Sequence, residues 1–236
     1  MKKANAYSSL MKAHDKQVDD KDGVFPMGSR IMAFIGKKGS GKTSGFLSLL
    51  TNKNSPYYKY FDNILLCSPS APHDDKLKEL YEEIEGEGKY FDVLNEKTAE
   101  EMKNTLIALN NISKRKNPQN LLILDDVTHS FPTGRKPSHI SALLTNSRHN
   151  ACSIWIVSHK YNSMPSLFRN QIDCLFLYKT NSKGELDSLK RDLPFDEDEL
   201  EANFKRATNE PYGFLYINMT GHSPKMYNKR FELMSS

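Results

Sequence analysis

The sequence is poor in cysteine, in long apolar runs and in charge of a single sign. Its 236 residues contain three cysteines, Cys67, Cys152 and Cys174. An odd number of widely spaced cysteines excludes a disulfide framework, and the absence of a Cys-x-x-Cys pair argues against a thiolate metal site. Each cysteine lies in or beside an apolar run, so we expect three buried side chains and a protein of a reducing compartment.

The apolar runs are too short to cross a membrane. The longest unbroken runs, Ile31–Ile35 and Cys174–Tyr178, have five residues each, whereas a membrane-spanning helix needs about 18–20. No apolar stretch follows the basic start at residues 1–3, so a secretory signal peptide is not expected. We therefore expect neither membrane insertion nor secretion.

The charges are nearly balanced. The 33 Lys and Arg residues against 29 Asp and Glu residues give a net charge of +4, which allows a nucleic-acid partner without requiring one. Apolar residues make up 38% of the chain and charged residues 26%, as in a globular protein with a core. Residues 1–23 are polar and of mixed charge, and we interpret them as an arm before one domain, residues 24–236.

Short apolar runs alternate with amphipathic segments in the predicted domain. The runs without polar alternation are predicted to be strands buried on both faces: residues 30–35, 63–67, 120–125, 153–158 and 174–178. Segments with helical spacing of apolar residues lie between them: residues 42–51, 74–85, 96–114 and 138–149. This alternation predicts an α/β fold, with a mainly parallel central sheet and helices on both faces.

The predicted core covers about residues 25–180, and a smaller extension follows at residues 181–236. In the extension, the acidic stretch 192–201 is predicted to be a solvent-facing helix. Residues 213–218 are predicted to be a late strand, paired with residues 225–231 as an edge hairpin.

A phosphate-binding pattern follows the first predicted strand. Residues 36–43 match GxxxxGK[ST] in full and join a buried strand to a helix, which is the context this motif requires. The glycines let backbone N–H groups surround phosphate oxygens, and the helix N-terminus adds partial positive charge. The expected binding set is Gly36, Lys37, Lys38, Gly39, Ser40, Gly41, Lys42, Thr43 and Ser44. Within it, Lys42 is expected to reach the β- and γ-phosphates and the Thr43 hydroxyl to ligate Mg²⁺.

A pair of carboxylates ends a later buried strand. Four apolar residues precede Asp125 and Asp126, which is the Walker B pattern. Asp125 is expected to hold Mg²⁺, and Asp126 to orient or deprotonate the attacking water. The two motifs together predict a RecA-like P-loop NTPase with ATP and Mg²⁺ as cofactors.

Several P-loop classes lack support in the sequence. Residues 52–55 do not complete the Asn-Lys-x-Asp pattern of a GTPase, the Leu-Ser-Gly-Gly-Gln signature of ABC subunits is absent, and 236 residues leave no room for a second helicase lobe. A small-molecule kinase with a lid at residues 128–137 remains an alternative. A nucleotide-gated scaffold that does not turn ATP over is another.

The ordered series of segments resembles one family. It comprises residues 25–26, 30–43, 63–69, 121–127 and 146–149, followed by 154–158. The doubled Asp, and the Ser-Arg-His of residues 147–149 before the fourth strand, are its most specific parts. The chain resembles the poxvirus-type genome-packaging ATPases of the HerA/FtsK superfamily, found in large DNA viruses and virophages, over roughly residues 25–178.

The resemblance implies a ring-forming ATPase that pumps double-stranded DNA into a preformed capsid. The family's Gly-Arg-His-type element matches Arg148 and His149, with Ser147 where glycine is usual. Where the family carries a glutamine that senses the γ-phosphate, this chain has His159, which can still donate one hydrogen bond. A ring also needs an arginine from the neighbouring subunit, and the candidates are Arg148 and Arg169.

The resemblance further implies a homo-oligomeric ring, a capsid or portal partner, and a location in the virion or a viral factory of the infected cell. DNA contacts would be non-specific and directed at phosphates. No zinc finger, helix-turn-helix or RNP pattern predicts base readout. The candidate contacts lie in polar loops around the Walker B strand: Lys114, Arg115, Lys116, Arg135 and Lys136.

Overall fold

The computed structural model describes residues 23–133 and 138–234. Its strands are β1 (Ile31–Ile35), β2 (Asn63–Cys67), β3 (Tyr90–Phe91), β4 (Asn120–Asp125), β5 (Cys152–Ser158), β6 (Cys174–Tyr178), β7 (Phe214–Asn218) and β8 (Lys225–Tyr227). They form one sheet of order β3-β2-β4-β5-β1-β6-β7-β8. The first six strands in this order are parallel, and β7 and β8 add antiparallel at the edge. The predicted mainly parallel α/β fold is confirmed.

Helices cover both faces of the sheet. They are α1 (Lys42–Thr51), α2 (Lys78–Ile84), α3 (Glu96–Ile112), α4 (His139–Thr145), α5 (Ser166–Arg169), α6 (Lys183–Asp192) and α7 (Glu197–Ala207). Because successive side chains of a strand point to opposite faces, β1 sends Met32 and Phe34 into the core under α1 and α2. It sends Ile31, Ala33 and Ile35 into the core under the other five helices. All three cysteines are buried, as expected.

The strand order brings the predicted motifs together at the carboxyl ends of the strands. Strand β5 lies between β1, which precedes the phosphate loop, and β4, which ends at Asp125. These strands are parallel, so their carboxyl ends meet at the same side of the sheet, where open α/β sheets bind ligands. Neighbouring strands are about 4.8 Å apart, so the ends of β1 and β4 stand roughly 10 Å from each other.

The C-terminal extension differs from its prediction. Instead of one solvent-facing helix at residues 192–201, two helices flank Leu193 and Pro194, because a proline disfavours helical backbone in the residue before it. Leu193 and Leu200 of the predicted stretch are buried against the sheet, whereas its acidic residues Asp196, Glu197 and Asp198 are exposed, so the solvent-facing assignment holds for the acidic residues only. The hairpin of β7 and β8 is confirmed, although β8 ends at Tyr227.

Other element boundaries shift by a few residues. The helix predicted at 138–149 ends at Thr145, with Ser138 as its N-cap, and Arg148 and His149 therefore lie in a turn. The helix predicted at 74–85 begins at Lys78, and the two-residue strand β3 was not predicted. The predicted arm lies outside the described residues except for Gly23. Within the described part of the chain, no helix is both long and apolar enough to span a membrane.

Candidate nucleotide site

The phosphate loop closes on itself through its backbone. Gly36 N–H donates to the carbonyl of Ser158 at the end of β5 (3.1 Å), and Ser40 N–H donates back to Lys37 (3.2 Å). Gly39 and Gly41 have φ values of +77° and +101°, in the region that only glycine adopts without strain. The loop therefore needs glycine at both positions, and it delivers the chain into α1 at Lys42.

Lys42 is the buried cation of the loop. Its Nζ donates to the carbonyls of Gly36 (2.5 Å) and Lys37 (3.1 Å), and only 7% of the residue is exposed. Burial lowers the pKa of the ammonium, and the carboxylates of Asp125 and Asp126 oppose that shift. The geometry holds a desolvated positive charge where the phosphates of a nucleotide would bind.

His159 lies between the lysine and the carboxylate pair. Its Nδ1 is 3.3 Å from Lys42 Nζ, and its Nε2 is 3.6 Å from Asp126 Oδ1. An ammonium only donates, so a hydrogen bond between these two atoms assigns the acceptor role to Nδ1 and the ring N–H to Nε2. This assignment gives the site a donor that faces Asp126.

The segment after β5 is fixed by a hydroxyl network. Ser158 Oγ donates to the carbonyl of Lys160 (3.1 Å) and lies 3.1 Å from Thr128 Oγ1, in the turn after the Walker B strand. Ser163 Oγ is within 2.9 Å of the same Ser158 hydroxyl. These contacts tie the His159 segment to the chain after Asp126.

Asp125 is buried and held in place by a residue the sequence patterns did not single out. Ser68, just after β2, donates from Oγ to Asp125 Oδ2 (2.9 Å). Burial raises the pKa of Asp125, and this hydrogen bond opposes the shift. The strand order explains the contact, because β2 and β4 are neighbours whose carboxyl ends meet. Ser68 takes up one carboxylate oxygen and leaves the other for a cation.

Asp126 has a different environment from Asp125. Its side chain is 54% exposed, and its backbone has φ +54°, a conformation that Asp and Asn tolerate better than most residues. Its N–H donates to the carbonyl of Val157 (3.1 Å). The sharp turn after β4 thus exposes the carboxylate of Asp126 to the site while that of Asp125 stays buried.

Eight of the predicted nucleotide-site residues line one cavity of about 540 Å³, namely Lys38, Gly39, Gly41, Lys42, Thr43, Asp125, Asp126 and His159, whereas Gly36, Lys37, Ser40 and Ser44 are not among its lining residues. It contains residues of the phosphate loop together with Asp125, Asp126 and His159. The segment after β2 also lines it, which sequence patterns missed: Ser70, His73, Asp74, Asp75 and Lys76. The only sequence signal for this segment was its place after a buried parallel strand.

Tyr178, at the end of β6, packs against the loop and α1. Its phenol group is buried, which raises its pKa, and within the described structure it has no hydrogen-bond partner. A Cβ atom at Gly36 would lie 2.6 Å from Tyr178 Cβ, and one at Gly45 would lie 2.1 Å from Tyr178 Oη. Both glycines therefore leave space for this ring.

We expect Gly45→Ala to destabilise the protein by about 1–3 kcal/mol, because the buried ring cannot move away from the added methyl group. In a Tyr178→Phe background the same change should be close to neutral or stabilising. The clashing oxygen is then gone, the ring carbon lies at 3.4 Å, and alanine has the higher helix propensity. Denaturant unfolding of the four proteins measures the coupling, and equal costs in both backgrounds would contradict this packing.

Arg148 lies at the opposite end of the strands from the phosphate loop, near the amino end of β1. Its Nη2 is 3.1 Å from Asp173 Oδ1, and Asp173 Oδ2 accepts a hydrogen bond from the N–H of Ile31, the first residue of β1. The phosphate loop follows the last residue of that strand, about 15 Å away at 3.3 Å per residue. The Arg148 side chain is 67% exposed, so it can reach a neighbouring molecule but not its own loop. His149 in the same turn is exposed, whereas Ser147 is buried.

Arg169 is held inside the protein. Its Nη1 lies 3.2 Å from Asp192 Oδ2 and donates to Asn162 Oδ1 (3.0 Å), and its guanidinium lies over the Tyr161 ring at 4.9 Å. Only 10% of the side chain is exposed. The structure thus gives Arg169 an internal partner and does not bring it to the cavity.

The candidate DNA contacts also separate. Arg115 pairs with Asp62 (3.1 Å) and is 22% exposed, whereas Lys114 and Lys116 are exposed. Arg135 and Lys136 lie outside the described residues. The exposed lysines are in the loop before β4. They therefore lie at the amino ends of the strands, whereas the phosphate loop lies at the carboxyl ends.

Strand order and site together identify the class. A P-loop on β1 and a carboxylate pair on β4 face one cavity, with the intervening β5 supplying His159, and this makes the chain a RecA-like P-loop NTPase. The particular family follows from comparison with known proteins. Residues 27–200 match the family described as Poxvirus A32 protein, and the chain belongs to that family. The family resemblance predicted from the sequence is confirmed.

Solved structures support the fold. The genome packaging NTPase B204 from Sulfolobus turreted icosahedral virus 2, in complex with AMP, is 16% identical, covers 84% of this chain and 96% of B204, and has a TM-score of 0.62. Its complex with ATP-gammaS has the same identity and coverage and a TM-score of 0.60. B204 from Sulfolobus turreted icosahedral virus, described as a DNA-packaging ATPase, is 18% identical over 85% of this chain and 98% of that one, with a TM-score of 0.61. A search of curated protein sequences gave no significant match.

Proposed function

We propose that the protein is an ATP-hydrolysing motor that translocates double-stranded DNA into a viral capsid. The observation that carries this proposal is the meeting of Lys42, Asp125, Asp126 and His159 in one cavity, in a chain of the Poxvirus A32 family. B204, which has the same fold, is described as a genome packaging NTPase and was solved with ATP-gammaS. The site has the parts that hydrolysis needs, namely a phosphate cradle, a cation ligand and a base.

Lys42 and the loop amides bind the phosphates. When a nucleotide binds, the ammonium exchanges its hydrogen bonds to the loop carbonyls for contacts with phosphate oxygens. Because the ammonium is buried, these contacts are electrostatically stronger than they would be in water. Thr43 and Asp125 would hold Mg²⁺, and their oxygen ligands suit this cation. A cation held there would supply positive charge to offset the negative charge that develops on the phosphate oxygens. Asp125 fits the role because it is buried, fixed by Ser68 and directed at the cavity.

Asp126 and His159 act on the attacking water. The exposed carboxylate of Asp126 accepts its proton, while the Nε2–H of His159 donates to the water or to the γ-phosphate. The distance of 3.6 Å between His159 Nε2 and Asp126 Oδ1 exceeds that of a direct hydrogen bond. The Nε2–H is therefore not used by Asp126 and is available to the water or the phosphate. With this one donor, His159 takes the place of the glutamine that is usual in the family.

Arg148 acts on the site of a neighbouring subunit. Its side chain is exposed at the amino ends of the strands, opposite its own phosphate loop, and Asp173 orients it. In a ring with head-to-tail contacts, one surface of a subunit faces a different surface of the next subunit. An arginine delivered in this way stabilises the negative charge of the transition state. Arg169 is the weaker candidate, because its internal ion pair would have to break.

Non-specific contacts to DNA phosphates come from the exposed lysines 114 and 116, with Arg135 and Lys136 as further candidates. Such contacts weaken with salt because they release counterions, and they let a motor move along the duplex. The capsid or portal is the proposed partner. The proposed location is the virion or the viral factory of the infected cell.

The test is ATP hydrolysis by the full chain with and without duplex DNA, combined with a mass measurement of the assembly. We expect a several-fold stimulation by DNA that decreases as salt rises. A rate that DNA never changes, in any oligomeric state, would contradict a translocating motor. Transfer of the γ-phosphate to a small molecule would instead support the kinase alternative.

A further inference from the structure

A second cavity lies beside the phosphate loop. It has a volume of about 310 Å³, and it is formed by loop residues Lys37, Gly39 and Ser40 with Lys179 and the turn of residues 208–213. Gly39 lines this cavity and the catalytic one. The loop that binds phosphates therefore has the carboxylates on one side and this second cavity on the other.

Tyr212 is the exposed aromatic residue of this cavity. It is 72% exposed, which is more than most large apolar or aromatic side chains in the described residues. A Cβ atom at Gly41 would lie 3.2 Å from Tyr212 Cδ1, so the ring borders the backbone of the loop. An accessible ring next to a phosphate cradle offers a flat surface to a bound molecule.

The backbone of Tyr212 is strained. Gly213 N–H donates to the carbonyl of Glu210 (3.0 Å), which closes a four-residue turn with Pro211 second and Tyr212 third. Tyr212 has φ +57°, at the position of such a turn where glycine or asparagine is preferred. A tyrosine here has a cost in folding, and such strain clusters at ligand-binding sites.

The next residue of the turn, Gly213, has no space for a side chain. A Cβ atom at Gly213 would lie 2.5 Å from the carbonyl oxygen of Ala207 and 3.0 Å from that of Glu210. The turn is therefore packed tightly at Gly213 and open at Tyr212. Its shape is set by the chain around it, and the side chain of Tyr212 is available for contact.

We propose that this cavity holds the nucleobase of the bound nucleotide and that Tyr212 stacks on it. The inference rests on the proposed ATPase function. A nucleotide whose γ-phosphate faces Asp125 and Asp126 must leave the loop on another side, and the cavity that shares Gly39 receives it. Every base has a π-face, so a stacking ring binds nucleotides without strong preference among bases.

The first test compares two ligands that differ by a nucleoside: ADP and inorganic pyrophosphate, titrated with Mg²⁺ by calorimetry. In Tyr212→Asn the Kd for ADP should rise about tenfold, while the Kd for pyrophosphate should not change. Tyr212→Phe should keep the ADP affinity because it keeps the ring. An unchanged ADP affinity in Tyr212→Asn, or an equal loss for pyrophosphate, would overturn the proposal.

Ala151→Gly is the matched control. Ala151 also has a left-handed backbone, with φ +47°, and it precedes the amino end of β5, away from the loop. Both substitutions relieve strain, so neither should lower the unfolding temperature. Only Tyr212→Asn should weaken ADP binding.

A second test uses the unmodified chain and so does not depend on a variant that folds. Photolabelling with 8-azido-ADP should attach to the peptide that contains Tyr212, in competition with ADP, and attachment elsewhere would overturn the proposal. Neither test requires hydrolysis or DNA, so a motor that fails the DNA test can still pass here. A protein that binds neither ADP nor pyrophosphate would contradict the ATPase function as well.

Discussion

Lys42→Ala is expected to abolish ATP hydrolysis while the chain still folds. The ammonium is the buried cation of the loop, and alanine leaves developing phosphate charge without it. Loss of one such preorganised donor lowers kcat by about 10²–10³-fold. Alanine has the highest helix propensity and suits the first residue of α1, so the cost in stability is confined to the hydrogen bonds to the carbonyls of Gly36 and Lys37.

The measurement is phosphate release, with unfolding followed in parallel. Lys53→Ala is the matched control, because it removes an exposed lysine just after the same helix and should leave the rate unchanged. Turnover by Lys42→Ala within about tenfold of the unmodified chain would contradict the assigned role.

The same variant tests whether Arg148 acts between subunits. Arg148→Ala and Lys42→Ala should each be inactive alone. When mixed rings form at equal amounts, roughly a quarter of the interfaces should join an intact Lys42 to an intact Arg148. Recovery of activity on mixing supports the inter-subunit arginine, and a mixture as inactive as its components excludes it.

The catalytic motifs were predictable from sequence because their signals are local. The glycines of the loop are needed for its own backbone, and the apolar run before Asp125 predicts burial wherever the strand lies in the sheet. The phosphate loop, the Walker B strand and β5 therefore have the predicted positions in the chain. The placement of His159 beside Lys42 and Asp126 depended on a resemblance and on strand order.

The contacts that were not predicted join residues distant in sequence. Ser68 reaches Asp125 only because β2 and β4 are neighbours. Arg169 pairs with Asp192 because α6 packs over the segment that contains α5, and an isolated arginine gives no sign of such a partner. Tyr212 is in contact with the loop because β7 follows β6 at the edge of the sheet. Strand order decides the contacts of Ser68 and Tyr212, and helix packing decides that of Arg169; local sequence pattern encodes neither.

Asp126→Asn is expected to stop hydrolysis and to leave nucleotide binding intact. The amide has the size of the carboxylate but cannot accept the proton of the attacking water, and loss of a general base costs about 10²–10⁴-fold in rate. Asparagine tolerates the left-handed backbone of this position (φ +54°). The side chain is half exposed, so its change should hardly affect stability.

Two readouts make this experiment decisive. Phosphate release should fall to background while the Kd for ATP stays within a few-fold, and Asp187→Asn, on the exposed side of α6, should change neither quantity. If the unmodified chain releases phosphate and Asp126→Asn does not, a scaffold that binds ATP without turnover is excluded. If both proteins turn ATP over equally, another group must deprotonate the water, and the remaining carboxylates of the cavity, Asp74 and Asp75, become the candidates.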